Sequence, residues 1–274
     1  MTRVLVTAVR GKTGRPLAQS LVERGGIEVM GGSSDPATVE IPGVRPVALS
    51  WDEPAGWPAA LVGIDAIYLV RPDRRDAPEL VASLLAVTDE ATRVVLLSEQ
   101  DADRTGPGGW APRVERAVRD SGRAWTILRP SWFMQVFSDE RYYPDLLTRG
   151  GELAFPSAVE RVAWIDARDI AAVAEHALLD AAHDGQVHEI TGPEALTLAR
   201  TVELLSVGGR PIVHRDVSVD EAVRDEQGFQ RELDTVTFER VRYGSFATVT
   251  GTVEQVTGRP PRSLPAFVRE RRTG

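Results

Sequence analysis

The stretch VLVTAVRGKTGRPLAQSL, residues 4–21, decides the fold. Its first residues form an apolar run typical of a strand buried on both faces, and PLAQSL continues as an amphipathic helix. Gly11 and Gly14 lie between them, three residues apart. Strand, glycine turn and helix in this order bring a phosphate group to a helix N-terminus, although the same glycines also suit close packing of a strand against a helix. The stretch therefore predicts a binding loop for a dinucleotide pyrophosphate.

Two features of this loop are unusual. Ala8 stands directly after Thr7, where the first glycine is expected. If that position needs a positive φ, the β-carbon costs about 1 kcal/mol. The loop also carries three cations, Arg10, Lys12 and Arg15, which the helix dipole disfavours at a helix start. They are solvated side chains or they hold an anion, and a 2′-phosphate fits because guanidinium groups bind phosphate in a bidentate manner.

The composition restricts the class of protein. The 274 residues include no cysteine, which excludes disulfides, thiolate metal sites and a cysteine nucleophile. The four histidines show no metal-ligand spacing, so no metal is expected. A formal net charge of −8 disfavours nucleic-acid binding. No apolar run reaches the length of a membrane span, and a strand starts directly after Met1. We expect a cytoplasmic protein whose partner is a small molecule.

Downstream of the loop, short apolar runs alternate with helical segments. This alternation predicts an α/β fold with a doubly wound parallel sheet of the NAD(P)-binding, Rossmann-like class, with ligands at the carboxyl ends of its strands. We predict a dinucleotide-binding domain over residues 1–150, completed by 161–192, and a smaller C-terminal α+β lobe for substrate over 193–274. Asp166 is the predicted N-cap of a helix. The predicted strands are 3–8, 27–31, 44–50, 65–70, 93–98, 124–130 and 188–192.

The end of the second strand leaves the choice of cofactor open. An acidic residue there holds a ribose 2′-hydroxyl, whereas an arginine accepts a 2′-phosphate. The sequence reads GGSSDP over residues 31–36, with hydroxyls at the expected position and Asp35 slightly late. The cations of the glycine loop favour NADP, and NAD is the alternative.

Taken together, these segments resemble the NmrA-like branch of the atypical short-chain dehydrogenases, and within it the group of NAD(P)H-dependent quinone and azo reductases and ergot-alkaloid-type iminium reductases. The resemblance covers nearly the whole chain and implies a Rossmann domain with a small C-terminal lobe over the substrate cleft. It rests on VLVTAVRGKTGR (4–15), DAIYLVRP (65–72), RVVLLS (93–98), SGRAWTILRPSWFMQVFS (121–138), AWIDARDIAAVAEHAL (163–178), HEITGPEALT (188–197) and VTGRPP (256–261).

The resemblance also implies which residues contact the cofactor. The family arginine that often ends the second strand aligns with Ser34, and Arg10 stands where some NADP-dependent relatives carry a basic residue for the 2′-phosphate. Ser98 is placed near the nicotinamide ribose. The predicted cofactor contacts are Thr7, Arg10, Gly11, Lys12, Thr13, Gly14, Ser34, Val70, Arg71, Ser98 and Pro130.

The usual proton donor of the superfamily is missing. Mainstream members use a tyrosine four residues before a lysine, and Lys12 is the only lysine of this chain. A substrate that is already electrophilic, such as a quinone, an iminium ion or a polycyclic natural-product intermediate, needs only hydride placement and orientation. The candidate catalytic hydroxyls are those of Ser98, Tyr142 and Tyr143. The candidate substrate-binding residues are Ser131, Trp132, Phe133, Met134 and Phe137, whose apolar side chains form either a wall for a flat substrate or ordinary core.

The expected function is therefore an NADP(H)-dependent reductase of conjugated, electrophilic small molecules. Two alternatives stay open at this point. One is a redox-neutral isomerase or cyclase built on a degenerate Rossmann scaffold, which the altered glycine loop favours. The other is a non-catalytic, NADP-sensing regulatory protein.

Overall fold

The computed structural model describes residues 1–139, 142–143, 145–157, 160–206 and 210–273. The strands are β1 (Thr2–Val6), β2 (Ile27–Ser33), β3 (Val44–Ala48), β4 (Ala66–Val70), β5 (Arg93–Leu97), β6 (Trp125–Pro130), β7 (Gly151–Ala154), β8 (Arg161–Val162), β9 (Gln186–Ile190), β10 (Leu196–Thr197) and β11 (Ile212–Arg215). The helices are α1 (Gly14–Arg24), α2 (Trp57–Leu61), α3 (Ala77–Ala86), α4 (Trp110–Arg119), α5 (Leu146–Arg149), α6 (Ala167–Leu179), α7 (Leu198–Ser206), α8 (Val219–Ala222), α9 (Gly228–Arg242), α10 (Thr252–Thr257) and α11 (Leu264–Thr273).

Seven strands form the main sheet, in the order β3-β2-β1-β4-β5-β6-β9. The five pairs from β3 to β6 are parallel. The strand order reverses between β1 and β4, which is the position where open α/β sheets bind their ligands. Pro46 lies in the edge strand β3, where a missing backbone donor is tolerated. The predicted doubly wound, Rossmann-like α/β fold is confirmed.

The strands read as continuous apolar runs because helices cover the sheet. Successive side chains of a strand face opposite sides, and Leu5, Ile67 and Leu69 share one hydrophobic core with residues of α2, α3 and α4. On the other face, Leu17 and Leu21 of α1 are fully buried. An apolar side chain removed from water in this way contributes about 1.5–3 kcal/mol to folding. Because helices cover both faces of the sheet, both sets of side chains along each strand gain this energy, and the strands are apolar at successive positions instead of at every second one.

The chain divides into two compact units, Met1–Arg129 with Ile170–His188, and Pro130–Asp169 with the chain from Glu189 onward. The second unit has its own core, in which Trp164 is buried and donates its indole N–H to the Thr201 hydroxyl at 3.0 Å. It contains two small sheets, β10 paired antiparallel with β8 and β11 paired parallel with β7. The predicted domains, 1–150 with 161–192 and 193–274, have boundaries different from those of these two compact units, and they stay predictions.

Two local features accompany this architecture. The Asp166 carboxylate accepts the backbone N–H of Arg168 at 2.9 Å, as the predicted cap of α6 requires. Among the helices in the described ranges, none combines the length and the apolarity needed to cross a membrane.

Candidate functional site

The glycine loop joins the end of β1 to the start of α1 and is tied to β4. The backbone N–H and the side-chain hydroxyl of Thr7 both donate to the Tyr68 carbonyl at 3.0 Å. The Thr7 hydroxyl in turn accepts the N–H of Val70 at 2.8 Å. Thr7 is buried, so its side chain links the carboxyl ends of the two strands that flank the switch point and does not point into solvent.

Ala8 adopts the backbone conformation that a glycine usually supplies. Its φ is +49°, in the left-handed region that costs an L-residue about 1–2 kcal/mol. The Ala8 carbonyl accepts the N–H of Gly11 at 2.8 Å. A β-carbon at Gly14 would collide with that same carbonyl. The turn therefore keeps its shape without the first glycine, and Gly14 is required by the close approach of the backbone.

The start of α1 has the properties of an anion site. Its first turn contains no acidic residue, and the side chain of the N-cap Thr13 makes no capping hydrogen bond. Backbone N–H groups at a helix start, together with the helix dipole, favour a bound anion. Arg10 is exposed, and within the described part of the chain its guanidinium has no hydrogen bond or ion pair.

The end of β2 carries no cation. The Ser33 hydroxyl bonds to the backbone of Asp35, donating to its carbonyl at 2.9 Å and accepting its N–H at 3.1 Å. Ser34 and Asp35 are exposed. A 2′-phosphate near this strand end would therefore need its cationic partner from another segment, such as the glycine loop.

Arg71, predicted to lie along the cofactor, is held by other groups at the carboxyl ends of β4 and β5. Its guanidinium donates to the Leu97 carbonyl at 2.9 Å and pairs with Glu99 at 2.8 Å. It also lies 4.5 Å from the centre of the Trp110 ring, within cation–π range. A guanidinium with these contacts is positioned rigidly next to the sheet edge, and its predicted cofactor contact stays a prediction.

Ser98 follows β5 and leads into a buried ionic network. Its hydroxyl donates to Glu115 at 2.6 Å, and Glu115 is completely buried. Arg129 donates to both Glu115 oxygens, at 2.9 and 2.7 Å, and its other N–H groups pair with Asp103 at 2.7 and 2.9 Å. Glu115 and Arg129 were not among the predicted site residues, although the position of Glu115 between the buried Val114 and Val118 of α4 is a signal for a buried charge.

The two tyrosines considered as proton donors have different surroundings. Tyr143 donates its hydroxyl to the Ala154 carbonyl at 3.1 Å, and burial raises the pKa of this phenol above its ordinary value. Tyr142 is 55% exposed. A raised pKa makes Tyr143 a weaker acid, so its geometry favours an orienting role over proton donation.

The five residues predicted to bind substrate differ in how deeply they are buried. Trp132 and Phe133 are half-buried, whereas Ser131, Met134 and Phe137 are buried at 2%, 1% and 0% exposure. Pro130 ends β6. The burial of Met134 and Phe137 favours packing in the core of the second unit, and the role of all five at a substrate stays a prediction.

An aromatic cluster surrounds Trp132 in the second unit. The indole stacks on Phe238, with ring centres 5.6 Å apart and 25° between the planes. Phe155 and Phe246 contact it edge to face at 5.1 and 5.5 Å. Trp132 and Phe238 are only half-buried, although both pack against the core of the second unit.

The chain matches the family model described as NAD(P)H-binding over residues 9–180. It is 33% identical to the NAD(P)H azoreductase of Xenophilus azovorans over 238 residues, 83% of this chain and 82% of the relative. It is 32% identical over 268 residues to the (4-alkanoyl-5-oxo-2,5-dihydrofuran-3-yl)methyl phosphate reductase of Streptomyces griseus, with 94% of each chain covered.

Solved structures share the fold. The triphenylmethane reductase of Citrobacter sp. complexed with NADP(H) superimposes with a TM-score of 0.80 at 17% identity, covering 98% of this chain and 99% of that one. An NADPH-dependent quinone oxidoreductase of Escherichia coli complexed with NADPH gives 0.80 at 20% identity, covering 97% and 99%. With the glycine loop, the sheet order and these relatives, the chain belongs to the NAD(P)H-binding family, in its NmrA-like group of NAD(P)H-dependent oxidoreductases.

Proposed function

We propose that the protein transfers hydride from NADPH to a conjugated, electrophilic small molecule without a side-chain proton donor. The observation that carries this proposal is the state of two candidate acids, the buried Ser98 and the half-buried Tyr143. The Ser98 hydroxyl already donates to a carboxylate, and the Tyr143 hydroxyl already donates to a backbone carbonyl. A substrate whose acceptor atom is already electron-poor needs no acid to take up hydride.

The residues of the glycine loop fit the cofactor. Helix α1 offers an N-terminus without an acidic residue in its first turn, which suits a pyrophosphate. Gly11 and Gly14 leave room for the backbone to approach it, and Arg10 supplies the guanidinium for a 2′-phosphate. NADPH held here supplies the hydride. The task of the chain is then to orient the nicotinamide and the substrate and to exclude water.

The aromatic cluster supports a flat substrate. Trp132 stacked on Phe238 offers a face on which a planar ring system can stack in an offset arrangement. The names of the relatives agree with this class, because one reduces azo compounds and another a phosphate ester that carries a 5-oxo-2,5-dihydrofuran ring. We therefore place this chain's substrates among quinones, iminium ions, azo compounds and related conjugated molecules.

The test is a turnover assay with a hydride label. Purified protein is incubated with NADPH deuterated at the nicotinamide C4 position and, in separate reactions, with a naphthoquinone, a cyclic iminium salt and an azo dye. The proposal expects loss of the nicotinamide absorbance band with at least one acceptor and, where the iminium salt turns over, a carbon-bound deuterium in its product; the quinone and azo reactions are followed by absorbance alone, because their deuterium exchanges with water. Neither signal is expected with a Gly14→Val variant. NADPH binding without turnover on any acceptor would instead favour a sensor. No binding of either dinucleotide would favour redox-neutral chemistry.

A further inference from the structure

Two histidines of the first compact unit meet at the edge of the main sheet. His183 ends the short 3-10 turn Ala181–His183, and His188 lies in β9, which is the edge strand next to β6. The Nδ1 atom of His183 and the Nε2 atom of His188 are 3.0 Å apart, and their ring planes cross at 72°. Neither residue is among those predicted for cofactor or substrate, so the pair is a separate feature of the fold.

The backbone beneath this pair is fixed by neighbouring strands. The hydroxyl of Thr126 in β6 donates to the His183 carbonyl at 2.8 Å. The next residue, Asp184, accepts hydrogen bonds from the guanidinium of Arg93 in β5 at 2.7 and 3.2 Å. The turn that carries His183 is therefore tied to two strands of the sheet, while His188 is itself part of the sheet. Support of this kind holds side chains in position before an ion binds.

The ionisation of the pair suits metal binding. A hydrogen bond between two imidazoles requires a lone pair on one of the two nitrogens, so at least one ring is neutral. Burial and the neighbouring His183 lower the pKa of His188 below its ordinary 6.5, which favours its neutral form. Neutral imidazole is the commonest metal ligand in proteins. Both side chains are only half-buried, which leaves them accessible to a hydrated ion.

The separation of the two nitrogens is close to that of two ligands on one metal ion. Two Zn–N bonds of about 2.0–2.1 Å at a tetrahedral angle place their nitrogens about 3.3 Å apart. The observed separation is 3.0 Å, so the rings need to part by only about 0.3 Å. Within the described residues, no group of three or more His, Cys, Asp or Glu side chains could hold a metal. An ion at this pair would therefore take its remaining ligands from water.

We propose that the Nδ1 atom of His183 and the Nε2 atom of His188 form a binding site for a divalent transition-metal ion such as Zn²⁺ or Ni²⁺, for which imidazole is a suitable ligand. The ion replaces the hydrogen bond of the pair, and the proton between the nitrogens moves to the other nitrogen of the same ring. Because one ligand lies on the turn and the other on the edge strand, a bound ion clips the turn to β9 and opposes local opening of this edge. The site is independent of the proposed function and of NADPH.

The test uses tag-free protein that has been treated with a chelator and dialysed. Calorimetric titration with ZnCl₂ at neutral pH should show one Zn²⁺ bound per chain. In a parallel titration with paramagnetic Ni²⁺, the imidazole NMR signals of His183 and His188 should broaden before those of His176 and His214. No Zn²⁺ binding at millimolar concentration, or equal broadening of all four histidines, would overturn the proposal.

Histidine variants locate the site. Loss of one ligand in His188→Asn should weaken Zn²⁺ binding at least as much as loss of a residue that only orients a ligand, which costs about 10- to 100-fold. His176→Asn and His214→Asn are matched controls, because both side chains are half-buried like His188, and they should keep the wild-type affinity. Unchanged Zn²⁺ affinity in His188→Asn, or an equal loss in a control, would contradict the proposal.

A stability measurement completes the design. Zn²⁺ should raise the midpoint of thermal unfolding of the wild-type protein and of both controls, and should leave that of His188→Asn unchanged. An equal rise in His188→Asn would place the ion elsewhere and refute the site. If His188→Asn does not fold, the Ni²⁺ titration of the wild-type protein still decides, since it needs no change at either ligand.

Discussion

The N–H of Gly11 donates a 2.8 Å hydrogen bond to the carbonyl of Ala8, and Ala8 has a φ of +49°. This pair forms the turn that in related loops begins with a glycine. The chain therefore keeps the dinucleotide-binding geometry while storing backbone strain at one alanine. Strained residues of this kind persist when the surrounding structure fixes them, here through Thr7 before the turn and Gly14 after it.

The first prediction concerns this strain. Ala8→Gly removes a left-handed penalty of about 1–2 kcal/mol, offset by about 0.4–1 kcal/mol from the greater freedom of glycine in the unfolded chain. We expect a small rise in the free energy of unfolding, measured by urea titration, with NADPH affinity retained. Ala8→Val, with a branched side chain at the same φ, should destabilise the protein by more than about 1 kcal/mol. An unchanged free energy of unfolding for Ala8→Val would contradict this prediction, because it would show that residue 8 can leave the left-handed region without cost.

A second prediction assigns the 2′-phosphate to Arg10. Arg10→Gln should weaken NADPH binding about ten- to a hundredfold, because a charge-assisted hydrogen bond is lost. NADH affinity should stay unchanged, since NADH has no 2′-phosphate. Calorimetric titration with both dinucleotides measures the ratio directly. Arg15→Gln, at the exposed second residue of α1, is the matched control. An equal effect there would mean that the positive charge of the loop in general, and not Arg10 itself, binds the phosphate.

The third prediction concerns pH. The pKa of Glu115 in the folded protein lies below its ordinary 4.5, so the unfolded chain binds its proton more readily. The resulting stability is fully present above about pH 4.5 and is lost as pH falls through the folded pKa. Glu115→Gln should lower the free energy of unfolding at pH 7 by about 3 kcal/mol and flatten the loss below pH 4.5.

A carboxyl with the opposite shift serves as the control for this pH dependence. Burial raises the pKa of Asp169 above its ordinary 3.8, against the lowering effect of Arg262. Its contribution therefore declines as pH rises from 3.8 through the folded pKa. Asp169→Asn should remove that decline, so the two variants should change the slope of stability against pH in opposite directions.

The fourth prediction separates substrate from core. Trp132→Leu removes one partner of the stack with Phe238 and should raise KM for a flat acceptor about tenfold while leaving NADPH affinity unchanged. Phe137→Leu lies in the same unit but is completely buried, and it should lower stability by about 1 kcal/mol or more without changing KM. Steady-state kinetics and urea unfolding of both variants distinguish the roles, and matching kinetic defects would place Phe137 at the substrate.

The sheet could be predicted from the sequence because parallel strands buried on both faces are continuous apolar runs. The binding loop could be predicted because the turn between β1 and α1 needs glycines at defined positions. The sequence did not predict the network of Ser98, Glu115 and Arg129. In the sequence, Glu115 and Arg129 cannot be distinguished from surface charges. Only the packing of α4 against β6 brings them together and buries them. The core of the second unit is assembled from segments that are distant in sequence, which local sequence patterns do not reveal.

Transfer of deuterium from NADPH dideuterated at C4 to the carbon of a cyclic iminium acceptor tests the central claim most directly, because deuterium on a quinol oxygen or a hydrazine nitrogen exchanges with water. We predict a product with one carbon-bound deuterium, formed by the wild-type protein and not by Gly14→Val, with turnover that persists when Tyr142 or Tyr143 is replaced by Phe. An unlabelled product from the iminium acceptor, or turnover abolished by loss of either hydroxyl, would contradict this claim.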